Sequence, residues 1–444
     1  MTPPLRARMA ARTRAWLDRW GGILPLLLAE FIVWLGFGAL LPVLPLYFEE
    51  QGIDLATLGI VIAAWPAARL VGEPVFGWLA DRTSRVPLMV VGLVASGIFS
   101  ALPLVLTGPL AFILLRAGAG LATAVYDPAA RGYLTDATEP SRRGEAFGLY
   151  GATQMGGLLF GPAIGAFGAQ LVGGHGFVFV FGGLASIVAA VAVALRVREA
   201  ALPVRTHPAP AHGPTEFPPE SPGTTGRAAA DVDADRGTAV SEARAPLSLW
   251  NRGLLAVIVL NAGGYFAGGT YEVIWSIFLK ELGAGLDLIG LTFAMFGLPI
   301  LVLSPYAGRL VDRRGVFAFV VLGALAPAFA GIAYTLIVDP LHAVPLILLE
   351  ATGFAFLNPA LYSVVAASSP RGRSSTAQGI YGAAGTVGFI LASLLAGYLA
   401  EIDIRYPFYL FTAVMLVTAA IALAIGWPVF RLRPAAQGDG VAAS

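Results

Sequence analysis

The chain has 444 residues, 57% hydrophobic and 12% charged, with a formal net charge of +1. Soluble domains carry about 25% charged residues, so a soluble class is excluded, and the near-zero charge gives no footing for a nucleic-acid partner. With no cysteine there are no disulfides or thiolate metal sites; the four histidines stand at no ligand spacing, so neither metal nor cofactor is expected.

The start is rich in arginine: Arg6, Arg8, Arg12, Arg14 and Arg19 precede the first apolar run. Signal peptides begin in this way. The run from Ile23 to Phe48 is too long for one and has no clear small-residue cleavage site. It reads as a membrane span, because about 20 apolar residues cross a bilayer. Five more spans are expected at about 57–79, 87–107, 109–132, 146–171 and 176–197. Six others are expected at about 253–279, 288–310, 316–338, 342–366, 376–400 and 407–430. Residues 199–247 mix prolines such as Pro203, Pro218 and Pro219 with small and charged residues. That composition cannot bury a core and predicts a disordered linker. The division is thus a segment 1–22, a bundle 23–198, a linker 199–247, a second bundle 248–430 and a tail 431–444.

The two sets of spans are copies. Gly77-Trp78-Leu79-Ala80-Asp81-Arg82 recurs as Gly308-Arg309-Leu310-Val311-Asp312-Arg313, an offset of 308 − 77 = 231. The same offset carries Gly59 to Gly290, Pro74 to Pro305, Asp127-Pro128 to Asn358-Pro359 and Tyr150 to Tyr381. One gapless offset over roughly a hundred residues marks an internal repeat. The predicted class is all-α integral membrane, twelve transmembrane helices in two six-helix bundles related by a parallel repeat.

Charges in the short loops set the orientation. The odd loops, with Glu49, Glu50 and Asp54, then Gly108, then Gly173-Gly174-His175, carry no Arg or Lys in the first half. The even loops carry Arg82 and Arg85, Arg142 and Arg143, Arg313 and Arg314, and Arg371 and Arg373, and Arg431 and Arg433 follow the last span. Both termini and the even loops are expected to be cytoplasmic. Lys280, the only lysine, and Arg405 are the outer exceptions.

Ionisable residues at bilayer depth are costly; they face a cavity, pair together or carry function. The spans hold Glu30, Arg69, Glu73, Arg116, Glu272 and Glu350. A carboxyl group leaving water holds its proton more tightly, and a nearby guanidinium loosens it again. Such a group can exchange a proton as its water exposure changes. Arg69 and Glu73 stand at i,i+4 and can instead form a structural pair.

Asp81 ends a span at the cytoplasmic surface, where it can face a neighbouring helix N-terminus. Arg82 and Arg85 can pair with a carboxylate on the fourth span, for which Asp127 is the candidate. Gly77, Gly308, Asp312 and Arg313 complete the turn and its copy, read either as a gate holding the halves together or as a topology signal. Gly157, Gly161 and Gly165 share one helix face beside Pro162. Small residues let helices pack closely, either as ordinary packing or as a pliable seam between the halves. In the seventh span, Gly263, Gly264, Gly268 and Gly269 weaken the helix by about 1 kcal/mol each, so an interruption is expected beside Tyr265, Tyr271 and Trp275. These three aromatic side chains can contact an organic or cationic ligand or serve packing.

These residues reach a family. Gly77-x-Leu79-Ala80-Asp81-Arg82-x-x-Arg85 resembles the loop between the second and third helices of the major facilitator superfamily, with Ser84 in place of the usual Gly. Arg116-x-x-x-Gly120 resembles its fourth-helix motif. Gly157-x-x-x-Gly161-Pro162-x-x-Gly165 resembles the fifth-helix motif of its antiporters. In the second copy Ala392-Ser393 replace the Gly-Pro. The resemblance covers nearly the whole chain apart from linker and tails. It implies that Glu30, Arg116, Glu272 and Glu350 line a central cavity, with Arg69 nearby. It further implies a monomeric secondary transporter in a bacterial inner membrane, moving protons and small molecules and resembling drug:proton antiporters. Glu30 ranks first as the coupling carboxyl, because it lies in the half with the antiporter-like motif, and Glu272 second. A sugar or metabolite transporter, or a non-transporting receptor or lipid-acting enzyme, stays open at this point.

Overall fold

The computed structural model describes residues 19–139, 142–198, 249–369 and 373–431. The arginines of residues 1–18, the linker 199–247, Arg371 and Arg433 lie outside them.

The first apolar run folds as α1, Leu24–Leu40, and α2, Leu44–Glu50, set at 43° to each other. The sequence reading took 23–48 as one unbroken helix. Pro42 and Pro45 lack the N–H groups that would continue the ladder. Leu41 instead closes a tighter bond to Gly38 at 3.2 Å. Then follow α3 Leu55–Ala80, α4 Arg85–Ala101, α5 Pro109–Asp136, α6 Arg143–Val172 and α7 Phe177–Arg196. The second half holds α8 Arg252–Glu281, α9 Leu286–Arg314, α10 Phe317–Tyr334, α11 Ala343–Ser368, α12 Ser374–Ala400 and α13 Tyr406–Phe430. With α1 and α2 counted as one bent span, these make twelve among the described residues.

The interruption expected in the seventh span is absent: α8 is one helix of 30 residues. Its glycines serve close approach. A Cβ at Gly269 would lie 2.2 Å from the Phe389 carbonyl oxygen of α12, and one at Gly263 would lie 2.1 Å from Thr418 Oγ1 of α13. Packing against two neighbours offsets the weak intrinsic helix propensity.

The repeat is visible in the packing. In the first half α1 packs on α6 and α7, α5 on α3 and α4, and α4 on α7. In the second half α8 packs on α12 and α13, α11 on α9 and α10, and α10 on α13. Across the halves α3 meets α12 and α6 meets α9.

These cross-contacts gather at one end. Gly59 lies against Ser393 and Gly397, and Gly290 against Pro162 and Ala166. A single apolar core there takes Phe48, Phe112 and Phe179 from one half and Phe278, Tyr334 and Phe408 from the other. Toward the opposite end each half has its own core, one around Met89, Tyr133 and Tyr150, the other around Val320, Leu361 and Phe430. Gly148, Gly151, Gly308, Gly379 and Gly382 stand there in open space. The molecule is shut at the end bearing Glu49 and parted at the end bearing Asp81.

Candidate functional site

The ionisable residues of the spans fall into separate clusters rather than one pool. Glu30, on α1, is fully buried. Its carboxylate accepts from Trp34 Nε1 at 2.9 Å, Gln154 Nε2 at 2.6 Å and the Tyr126 hydroxyl at 2.5 Å. All three donors belong to its own half. Charged acceptors form the stronger hydrogen bonds, so this network ties α1 to α5 and α6 below the shared core.

Arg116 and Glu272 meet across the halves: Arg116 Nη2 donates to Glu272 Oε1 at 2.9 Å, and both side chains are buried. Arg116 stands seven residues into α5, about 10 Å from its start at 1.5 Å per residue. It reaches Glu272 of α8 at matching depth. Its Nε is buried with no partner among the described residues.

Glu350, on α11, accepts from Tyr271 at 2.8 Å and Tyr334 at 2.9 Å. Trp275, Phe408 and Phe411 complete an aromatic wall: Trp275 lies 4.9 Å from Tyr334 and Phe411 lies 5.6 Å from Tyr271, both edge-on. Edge-to-face pairs of this kind add about 0.5–1.5 kcal/mol beyond burial. Trp275 donates to Thr292 at 2.9 Å and is packed. Tyr271 is committed to Glu350. Of the three aromatic candidates, Tyr265, 46% exposed, presents a free face.

The fourth cluster corrects an expectation. Asp127 does not pair with Arg82 or Arg85. It is bonded to Arg69 and, at 3.4 Å, to Arg131, while Arg69 also holds Glu73 at 2.5 Å. Asp127 points inward from α5 and is buried; Arg85 reaches Asp136, two and a half turns on, at 2.9 Å. Arg82 lies over the Trp78 ring at 4.0 Å and donates to the Trp78 carbonyl. Asp81 is exposed and caps α3. In the second copy Asp312 and Arg313 are exposed. The ion pair Arg85–Asp136 at this turn lies within one half, at the parted end.

The glycine motif is likewise placed within a half. Cβ atoms at Gly157, Gly161 and Gly165 would fall 2.7, 2.6 and 2.1 Å from Leu35 N, Leu35 O and Ala39 O of α1. The seam is α1–α6, not the boundary between halves. Pro162, on another face of α6, does touch α9 through Gly290.

A cavity of about 60 Å³ lies inside the first half, bordered by Trp34, Trp65, Arg69, Arg116, Tyr126 and Asp127. At about 10–15 Å³ per water it has room for about four. It adjoins the Glu30 donors, the cross-half ion pair and the Asp127 cluster at once. Among the described residues no group of His, Cys, Asp or Glu is placed to hold a metal. Sequence reasoning missed Trp34, Tyr126, Gln154, Tyr334 and Arg131. Gln154 was the findable one, an amide in the body of an apolar span whose other amide, Gln170, stands at its end.

A family model described as Major Facilitator Superfamily matches residues 26–275 and 265–440. The chain belongs to the Major Facilitator Superfamily. Curated relatives include the "Quinolone resistance protein NorA" of Staphylococcus aureus (strain MRSA252), 28% identical over 159 residues, covering 36% of this chain and 40% of that protein. Another is "Multidrug resistance protein 2" of Bacillus subtilis (strain 168), 29% identical over 172 residues, covering 38% and 42%. The match spans about two fifths of the length of these relatives. Among solved structures, a "Bacterial Homolog to Human Lysosomal Transporter, Spinster", described as inward-facing, superposes with a TM-score of 0.67 at 17% identity, covering 94% and 99%. A peptide transporter POT mutant gives 0.71 at 15% identity, covering 93% and 96%, and the nucleoside transporter NupG mutant 0.67 at 15%, covering 90% and 99%. At such identities these structures speak for the superfamily fold and not for a substrate. The chain is a multi-pass membrane protein of a transporter family.

Proposed function

We propose that this protein is a proton-coupled exporter of amphipathic organic compounds that works by alternating access, as a monomer in a bacterial inner membrane with both termini cytoplasmic. One observation carries the reading. Arg116–Glu272 is the mid-span ion pair that bridges the halves, so any motion parting α5 from α8 must break it. A carboxylate separated from its guanidinium in a dry span takes up a proton or exchanges partners, because an unpaired buried charge is costly. Substrate entry and proton movement are thereby linked at one bond. The names of the two curated relatives support efflux as the direction.

This moves the coupling role to Glu272. Glu30 is enclosed by donors of its own half and is carried with it as a body. Glu272 is the carboxylate whose partner stands in the other half. On the charge-based orientation the parted end is cytoplasmic, which makes this an inward-facing state.

The test has two stages. A survival screen of an overexpressing strain identifies a toxic compound that is exported. Binding of that compound to purified protein in weakly buffered solution is then expected to shift the proton count in the parent, in Glu30→Gln and in Glu350→Gln, but not in Glu272→Gln. An undiminished proton shift in Glu272→Gln overturns the coupling assignment, and export that survives collapse of the proton gradient overturns the antiport reading.

A further inference from the structure

A groove of about 520 Å³ opens on the outside of the second half, between the start of α8 and the last two turns of α13. Its walls are Leu423, Ala424, Trp427 and Pro428, with Arg252 at its mouth. Its floor follows from Gly426. A Cβ there would lie 2.8 Å from Ala256 Cβ, so the two helices touch at that level and the larger side chains on either side leave a furrow. From Leu423 to Pro428 the furrow runs about 7 Å along the helix axis, the depth of the first methylenes of an acyl chain.

The end of the furrow at the membrane surface is chemically marked. Arg252 is exposed, and Arg431, also exposed, lies over the Trp427 ring at 4.7 Å and the Phe317 ring at 5.8 Å. Stacking on the aromatic faces holds that guanidinium at the membrane interface. Among the described residues neither arginine pairs with a carboxylate.

We propose that this groove is a binding site for one anionic phospholipid of the leaflet at the parted end. Arg252 and Arg431 hold the phosphate, and Leu423, Ala424, Trp427 and Pro428 pack the first methylenes. A surface arginine attracts anionic lipid at any interface. The furrow adds a seat for the chain. The equivalent positions of the first half lack it: 231 residues earlier, Arg252 becomes Gly21 and Trp427 becomes Arg196.

The experiment uses the full chain purified in detergent, with retention of dioleoylphosphatidylglycerol and dioleoylphosphatidylcholine compared by native mass spectrometry. Two guanidiniums at the interface predict about a thirtyfold preference for the anionic lipid. Arg252→Ala with Arg431→Ala is expected to remove that preference. Arg309→Ala, whose guanidinium sits over Tyr306 at 5.8 Å away from the groove, is expected to keep it. Ala424→Trp, which fills the furrow and leaves both arginines, is expected to abolish retention. All four positions are exposed, and gel filtration confirms folding. Equal retention of both lipids by the parent overturns the proposal. So does unchanged preference in either the double variant or Ala424→Trp, the latter showing charge attraction without a site.

Discussion

The two halves pack alike and are filled differently. The same helix pairs touch in each, yet the buried carboxylates sit in unlike surroundings. Glu30 is held by an indole, an amide and a phenol. Glu350 is held by two phenols inside an aromatic wall. At the 231-residue offset, Glu30 faces Asn261 and Glu350 faces Ala119. Asn261 donates to the Tyr381 carbonyl at 2.8 Å, so the position that is a charged hub in one half is a neutral tie between α8 and α12 in the other. Helix packing constrains shape at small residues, and both copies must keep it. Polar side chains in the spans are constrained only by their own partners, so each copy has acquired its own.

The largest expected effect comes from cutting the mid-span bond between Arg116 and Glu272. Arg116→Ala leaves the Glu272 carboxylate buried alone, which is expected to cost about 3–5 kcal/mol, read as a fall in the thermal unfolding temperature. Arg116→Met combined with Glu272→Gln is expected to recover most of that stability and none of the transport. Equal stability of the single and double variants breaks the idea that the halves communicate through this pair. Next comes the turn and its copy. Asp81→Asn and Arg82→Ala are expected to abolish export at normal membrane abundance, and Asp312→Asn to reduce it less; transport at the parental rate in the first two removes the gating role.

The two carboxylate sites can be ranked directly. Glu30→Leu strands three donors, the Tyr126 hydroxyl buried and the other two half-buried, and Trp34 Nε1 can only donate. Glu350→Leu strands two phenols. With about 1–3 kcal/mol per stranded group, the Glu30 variant is expected to unfold at the lower temperature; the reverse order shows that the aromatic wall matters more than the hydrogen bonds. At the shut end, Lys280 Nζ donates to Glu49 at 2.9 Å across the halves, and both are exposed. Such a pair contributes about 0.2–1 kcal/mol. Lys280→Glu is expected to raise thiol labelling of a cysteine at Ala396, buried in the core of that end, a few-fold, and Glu49→Lys in the same chain to restore it.

The smallest effect contrasts two helix starts. Asp54 caps α3, accepting from Thr57 N at 2.7 Å and Thr57 Oγ1 at 2.8 Å; its counterpart Gly285 caps α9 with no side chain. These bonds, the backbone one first, hold the Asp54 carboxyl below the usual range. Its stabilisation is therefore present at neutral pH and lost as pH falls below about 4 and through the folded value. Asp54→Ala is expected to cost about 0.5–2 kcal/mol at pH 7, a difference that shrinks as pH falls through the folded value; one that stays constant over the whole acid range assigns the effect to something other than the charged cap.

The sequence made the spans and the repeat legible because hydropathy and a gapless offset are long signals. The second copy keeps Gly315, which ends α9 at a φ of +83°. The first has Ser84 there, and α3 stops at Ala80. That difference was readable in the one departing residue. Charge partners were not readable. Asp127 lies at the depth expected of a gating carboxylate, but which way a side chain points from a helix depends on its neighbours, and Arg69 stands 58 residues away. The glycines of α8 misled for a related reason. Propensity is local, while Phe389 and Thr418, which need those glycines, come from α12 and α13.

The clasp at the shut end says something about ancestry. Glu49 and Lys280 are separated by 280 − 49 = 231 residues, the offset of the repeat itself. Each therefore meets its own counterpart, as happens only beside a twofold axis. Two separate identical units meeting in this way would set glutamate against glutamate, or lysine against lysine. Only after the units were joined in one chain, and free to mutate apart, does an attractive pair become available at that spot.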